Sequence, residues 1–138
     1  MAIEIRNAER DELAAVVTLW REPGVAVRAT DTEAALLTLF ESDAEAVLVA
    51  AADGDLIGVL LATWDGWRGN MYRLAVRPER RREGIARALV EDGERRLRAR
   101  GCRRVTALVN DDDTARAVWR ACGYEPDPDV DRHVKMIA

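Results

Sequence analysis

The sequence predicts an α/β domain built on a mixed, mostly antiparallel sheet, and three features carry that prediction. Asp53-Gly54 parts two apolar runs in the manner of a tight hairpin turn. Asp65 to Gly69 parts the second of them from a third, so residues 46–76 double back twice. An amphipathic run from Ile85 to about Arg100 then breaks the strand pattern, and Val105 to Val109 resumes it. With 138 residues, 49% hydrophobic and 33% charged, the chain has the size and composition of one layered core, not two. The expected order over residues 1–138 is β-α-α-β-β-β-α-β-α-β-β, a sheet of six to seven strands (6-7) flanked by about four helices.

Each element has a local reason. Ile3 and Ile5, with polar residues between them, alternate as a half-buried strand does. Leu13, Val16, Val17 and Trp20 follow at helical spacing, with Asn7 or Asp11 as the cap and Pro23-Gly24 as the stop. Asp31 or Thr32 heads a second helix through Leu36, Leu39 and Phe40, closed by Glu41-Ser42-Asp43. Ala46 to Ala52 and Leu56 to Thr63 are the arms of the first hairpin, and the strand ending at Val76 completes an antiparallel three-strand core. In the long helix Ile85, Ala86, Leu89, Val90, Gly93 and Leu97 make one stripe, and Gly101 is its stop. A further helix carries Ala115, Val118, Trp119 and Cys122 on one face, with Gly123 behind it. Tyr124 and His133 to Ile137 are assigned to the last strands, on either side of the turn-rich Glu125 to Asp131.

The net charge of −4 is unevenly laid out: residues 1–66 sum to −9, residues 67–104 to +8 and residues 105–138 to −3. No apolar run reaches the length of a membrane span, and the alternating N-terminus lacks the layout of a signal peptide, so a cytoplasmic protein with no membrane partner is expected. Cys102 and Cys122 make no disulfide framework and are expected to be small buried residues. One histidine, His133, and one serine, Ser42, leave little for a metal site or a Ser-His-Asp triad, so no metal is expected. Overall acidity and a basic block without interleaved exposed aromatics argue against a nucleic-acid binder.

The informative segment is Arg81-Arg82-Glu83-Gly84-Ile85-Ala86, between the strand Met71-Tyr72-Arg73-Leu74-Ala75-Val76 and the long helix. A strand, a charged turn and a glycine-opened helix gather free backbone N–H groups at the positive end of a helix dipole, which suits a pyrophosphate. Gly84 lets phosphates approach the main chain and Ala86 is small enough not to block them. The turn has no Gly-Lys-Ser/Thr of a nucleotide P-loop, and no Gly-x-Gly-x-x-Gly follows the first strand as a dinucleotide fold requires.

Val76-Arg77-Pro78 followed by this loop resembles the acetyl-CoA loop of the GNAT acetyltransferase superfamily. Asp112-Asp113-Thr114-Ala115, with Trp119 and Gly123-Tyr124, is similar to that family's Asn-x-x-Ala-x-x-x-Tyr-x-x-x-Gly-Phe/Tyr segment. Asp65-Gly66-Trp67-Arg68-Gly69 resembles a loop of its small, single-domain bacterial members. The resemblance implies a sheet splayed at a cofactor cleft, with acetyl-CoA as co-substrate. Backbone groups of Leu74, Ala75 and Val76 would bond the pantetheine amides, N–H groups of Arg81, Arg82, Glu83, Gly84, Ile85 and Ala86 would hold the diphosphate, and a N–H near Val76 would polarise the acetyl carbonyl. It implies acetyl transfer to a primary amine of a small molecule or peptide by direct attack, allows a homodimer, and leaves an acyl-CoA-binding sensor with little turnover as the alternative.

Two positions depart from the family pattern. Trp119 stands where a tyrosine usually serves as general acid, and an indole does not titrate usefully, so Trp119 is read as a wall of the acyl site or as core. The resemblance implies that Asp112, Ala115 and Trp119 line the cofactor, although Asp112 replaces the usual Asn and is well placed as a helix cap. For the proton path the sequence offers Asp65, which could take a proton from an ammonium through water or simply hold a turn, and Tyr72, which could act in the cleft or pack in the strand. The acidity of the first half favours a cationic acceptor, with Asp65 its first contact.

Overall fold

The structure, a computed structural model, describes residues 2–21 and 27–138. The strands Glu4–Asn7 (β1), Val47–Ala52 (β2), Asp55–Trp64 (β3), Gly69–Val76 (β4) and Val105–Ala107 (β5) lie side by side in that order in one sheet. The first four pair antiparallel and β5 joins β4 in parallel, so the sheet is mixed and mostly antiparallel. Leu13–Trp20 (α1) and Glu33–Ser42 (α2) cover one face, and Ile85–Ala99 (α3) and Asp113–Ala121 (α4) the other.

The two-face cover explains the near-continuous apolar runs of the central strands. Val47 and Val49 of β2 pack with α1 and α2, while Leu48, Ala50 and Ala52 pack with α3 and α4. Leu48, Leu60, Met71, Leu89 and Leu97 are all but fully withdrawn from solvent. Each such side chain contributes roughly 1.5–3 kcal/mol of apolar burial. The stripe of α3 falls where the spacing put it at Ile85, Leu89, Val90, Gly93 and Leu97, all buried, while Ala86, at the helix start, is only half-buried. At Gly93 the helix rests almost directly on the sheet: a Cβ there would stand 2.9 Å from Met71 Cε and 3.3 Å from Ala62 Cβ.

Both hairpins form as expected, the first through Asp53 and Gly54 at φ 52° and 81°, the positive pair that matches strand twist. Thr32 caps α2 by accepting the Ala35 N–H at 3.2 Å, and Asp43 closes it. Neither Asn7 nor Asp11 caps α1. The chain enters that helix through a 3-10 turn, Arg10–Glu12, in which the Glu12 carboxylate takes the Glu9 N–H at 2.8 Å and grips Arg6 with both oxygens. The Asn7 amide is committed instead to the Ala44 carbonyl at 3.0 Å. The Pro23-Gly24 stop lies outside the described residues.

The expectation of six to seven strands fails at the C-terminal end. Among the described residues there are five strands: β5 stops at Ala107, short of Val109, and neither Tyr124 nor His133 to Ile137 joins the sheet. Pro126 and Pro128 remove ladder donors, and the Asp127 carboxylate accepts the Asp129 N–H at 3.1 Å, a local bond made in place of a ladder. Tyr124 finishes α4, its N–H reaching the Trp119 carbonyl at 3.0 Å behind Gly123 at φ 92°. Cys102 and Cys122 are free and half-buried, not fully buried as expected. Among the described residues no helix is long and apolar enough to cross a membrane, and no group of three metal-ligating side chains forms.

Candidate active site

The sheet opens along β4. Parallel pairing with β5 lasts three residues, Gly69 with Val105, Asn70 with Thr106 and Met71 with Ala107, and one further bond runs from the Leu108 N–H to the Met71 carbonyl at 3.0 Å. Beyond Met71, β4 continues to Val76 with no β5 partner, so Leu74, Ala75 and Val76 present an open backbone edge. A bulge accompanies the divergence. Leu61 faces Tyr72 and Val59 faces Ala75, so Leu60 of β3 stands opposite Arg73 and Leu74 of β4. An extra residue bends its strand and raises its twist, which turns the second half of β4 away from β5.

The bulge also sorts the side chains. Tyr72 and Ala75 face the core of α1 and α2, while Leu74 and Val76 face that of α3 and α4. Arg73, between them, takes φ 53°, a conformation uncommon for any residue but glycine. Its carbonyl accepts the Trp20 Nε1–H at 3.1 Å, its guanidinium pairs with Asp31, and the guanidinium carbon sits 5.4 Å from the Trp20 ring centroid. At 3% exposed, Asp31 is the one buried charged residue among the described residues.

Where β4 ends, the chain passes a 3-10 turn, Pro78–Arg80, and reaches α3 through Arg82 at φ 65° and Gly84 at φ 80°. The Gly84 carbonyl accepts the Ala88 N–H at 3.0 Å and no side chain caps the helix. The N–H groups of Ile85, Ala86 and Arg87 therefore have no intrahelical partner and stand at the positive end of a fifteen-residue helix. A Cβ added at Gly84 would meet nothing within 4 Å, so the space beside that residue is open. Arg80 holds the Glu83 carboxylate at 2.9 Å, which neutralises the socket's one acid, while Arg81 and Arg82 are exposed and form no ion pair among the described residues. The socket fits a diphosphate, and the open β4 edge fits an extended chain bearing amides.

The other expected residues separate. Trp119 is 4% exposed, packs edge-on against Tyr124 at 5.0 Å, and belongs to the core that Leu74 and Val76 border. Asp112 caps α4 by accepting the Ala115 N–H at 2.7 Å, which engages the carboxylate and that N–H with each other. Tyr72 is half-buried on the α1 and α2 face. Asp65 is not brought to the opening: it precedes β4 in the hairpin turn, at the opposite end of the strand from Val76. Its carboxylate accepts the N–H groups of Arg68 at 2.7 Å and Trp67 at 2.8 Å, which hold it below the usual carboxylate range.

Four of the N-terminal acids are similarly engaged, Glu12 with Arg6, Asp31 with Arg73, Glu41 with Arg10 and Asp43 with Arg100. A recess of about 410 Å³ between α3 and α4, lined by Glu94, Cys102, Cys122 and Tyr124, lies near the start of β5 and away from the opening. There the Tyr124 phenol donates to Glu94 at 2.8 Å, and burial followed by that carboxylate pushes its pKa well up. Arg73, Asp31 and Trp20 went unread in the sequence as a group. The available signal was a lone arginine within the run Met71 to Val76.

Residues 12–124 match the model of the acetyltransferase (GNAT) family. A protein of Pectobacterium atrosepticum named as an acetyltransferase is 35% identical over 113 residues, covering 82% of this chain and 80% of that one. One of Photorhabdus laumondii, also named as an acetyltransferase, is 35% identical over 113 residues, with 82% and 79% covered. Among solved structures, the PaiA N-acetyltransferase of Thermoplasma acidophilum in complex with coenzyme A superposes with a TM-score of 0.80 at 20% identity, over 95% of this chain and 94% of that one. Ard1 of Thermoplasma volcanium gives 0.79 at 20% identity, over 89% and 82%.

Proposed function

Since this chain belongs to the acetyltransferase (GNAT) family, we propose that it moves an acetyl group from acetyl-CoA to a primary amine by direct attack in a ternary complex. The observation that carries the reading is the open edge of β4 from Leu74 to Val76 leading onto the uncapped N-terminus of α3. In this reading the pantetheine amides bond to the backbone of Leu74, Ala75 and Val76 as an added strand. The diphosphate takes N–H groups between Arg81 and Ala86, with Arg81 and Arg82 supplying positive charge.

The neutral amine attacks the thioester carbonyl, the C–S bond breaks, the thiolate leaves with coenzyme A, and the nitrogen's surplus proton passes to water. A backbone N–H near Val76 receives the oxyanion; loss of a comparable donor costs about 2.7–4 kcal/mol in other acyl-transfer enzymes. Trp119 supplies shape, not a proton. Asp65 has no part in this mechanism; in this reading its carboxylate serves the β3–β4 turn, accepting the Arg68 and Trp67 N–H groups.

Similar folds include a diaminobutyrate acetyltransferase of Paenibacillus lautus and a NatC complex bound to a Gag peptide, so both small-molecule and peptide amines belong in the search. The test is release of free coenzyme A from acetyl-CoA across polyamines, aminoglycosides, amino acids and peptides. Saturable, amine-dependent release is expected. Absence of coenzyme A binding by calorimetry would overturn the reading of the cleft.

A further inference from the structure

We propose that Arg73 is a positioning residue: gripped by Asp31 and Trp20, it sets the β4 bulge and so links the segment before α2 to coenzyme A binding. The proposal rests on the acetyl-CoA reading of the cleft and adds to it a control point on the opposite face of the sheet.

The extra residue of the bulge is an arginine at φ 53°, in the left-handed region where glycine would be unstrained. Strained conformations persist only where the surroundings over-determine them, and here both ends of the residue are held. The Trp20 indole N–H donates to the Arg73 carbonyl at 3.1 Å, and the Asp31 carboxylate pairs with the guanidinium. Asp31 is held in turn: its carboxylate accepts the Arg28 N–H at 2.7 Å and its carbonyl accepts from Arg21 at 3.1 Å. The end of α1, the residues just before the Thr32 cap of α2, and β4 thus meet at one side chain.

The consequence lies one residue further on. Arg73 is drawn to the α1 and α2 face, Leu74 goes to the other, and Leu74 opens the unpaired edge. The direction of the N–H and C=O groups from Leu74 to Val76 therefore depends on where residue 73 is held. Loosening the grip lets β4 relax toward a regular strand and turns the edge away from the pantetheine amides. Linkage makes the coupling reciprocal, so coenzyme A on the edge tightens the grip and steadies the Arg28 to Asp31 segment.

The test is coenzyme A titration by calorimetry on the full chain, well below the melting temperature, with folding checked by circular dichroism. Trp20→Phe keeps a ring and removes the indole N–H; Asp31→Asn removes the charge; Arg73→Lys keeps a cation. Both Trp20→Phe and Asp31→Asn are expected to weaken coenzyme A about tenfold while remaining folded, and Arg73→Lys to stay within about threefold of the wild type. Glu12→Gln breaks the remote Arg6 pair and is expected to lower stability with no change in affinity, which separates positioning from general destabilisation. Folded Trp20→Phe and Asp31→Asn proteins with wild-type affinity would overturn the grip while leaving the cleft reading intact. A wild-type chain that fails to bind coenzyme A would overturn both.

Discussion

Replacing Gly84 with alanine separates what the backbone needs at this position from what a ligand needs. Gly84 sits at φ 80°, where an L-residue is disfavoured by roughly 1–2 kcal/mol. A Cβ there meets nothing within 4 Å, so no clash adds to that figure. For a chain of this size such a loss lowers the melting temperature by roughly 3–10 °C. Gly66, in the β3–β4 turn, supplies the control: φ is 92°, its Cβ also meets open space, and it stands far from the socket. Gly66→Ala and Gly84→Ala should therefore destabilise the free protein by similar amounts. Coenzyme A at a hundred times its dissociation constant adds about 2.7 kcal/mol, on the order of 10 °C, to a protein that binds it only when folded. Differential scanning fluorimetry with and without coenzyme A is the assay. The wild type and Gly66→Ala should keep that shift, and Gly84→Ala should lose most of it because the new methyl group occupies the mouth of the socket. A full coenzyme A shift in Gly84→Ala would refute the placement of the diphosphate at residues 81–86.

Trp119→Phe should keep turnover within about tenfold of wild type while melting a few degrees lower, because the ring packs on Tyr124 and moves no proton. A drop of a hundredfold or more in a folded variant, the scale of a lost acid catalyst, would contradict that. The double variant Arg81→Gln with Arg82→Gln should weaken coenzyme A roughly three- to tenfold at low salt and flatten its salt dependence, since both guanidinium groups are exposed and lack ion-pair partners among the described residues; equal salt slopes in calorimetry would count against it. Glu12→Gln should cost about 1 kcal/mol at neutral pH. Arg6 holds the Glu12 carboxyl below its ordinary 4.5, so the contribution of the pair is full above about pH 4.5 and fades as pH falls through the folded value; urea midpoints of wild type and variant should converge in acid, and a gap that persists there would be the failure.

What was legible in the sequence was what local chemistry decides. Asp53-Gly54 makes its hairpin, Thr32 caps its helix, and Gly84 opens α3 because each depends on a few adjacent residues. The same locality explains Asp65 and Asp112, for which a turn and a cap stood beside catalytic or cofactor roles: both carboxylates bind N–H groups two or three residues on. Strand alternation was a poorer guide at the C-terminal end. Val134 and Met136 alternate as strand residues do, yet both are exposed, and the neighbouring β5 offers only three paired residues. The bulge was not legible at all. At its extra residue the Arg73 carbonyl meets Trp20, 53 residues away, and the guanidinium meets Asp31, 42 residues away. Asp31 therefore read as one of two candidate caps for α2, although Thr32 does the capping and Asp31 faces inward.

The departures from the family pattern bear on where the acceleration of the proposed reaction comes from. Trp119 cannot donate a proton usefully, and the Tyr124 phenol behind it is bound to Glu94 and pushed up in pKa, a poor proton source at neutral pH. Asp65 is held in its turn and Asp112 in its cap. Acid–base groups of this kind contribute on the order of a hundred- to ten-thousandfold where they act. Holding amine and thioester in register can supply about 7–11 kcal/mol, and an oxyanion donor about 2.7–4 kcal/mol more. In the proposed mechanism both of these contributions run through the backbone of β4. A displacement of about 1 Å in such a frame can cost a hundredfold, as much as a missing acid. In the proposed mechanism a chain with tryptophan in place of the proton donor depends more heavily on the bend of this strand, which the proposed grip holds at Arg73 through the buried Asp31 carboxylate, just before α2, and the Trp20 indole N–H at the end of α1.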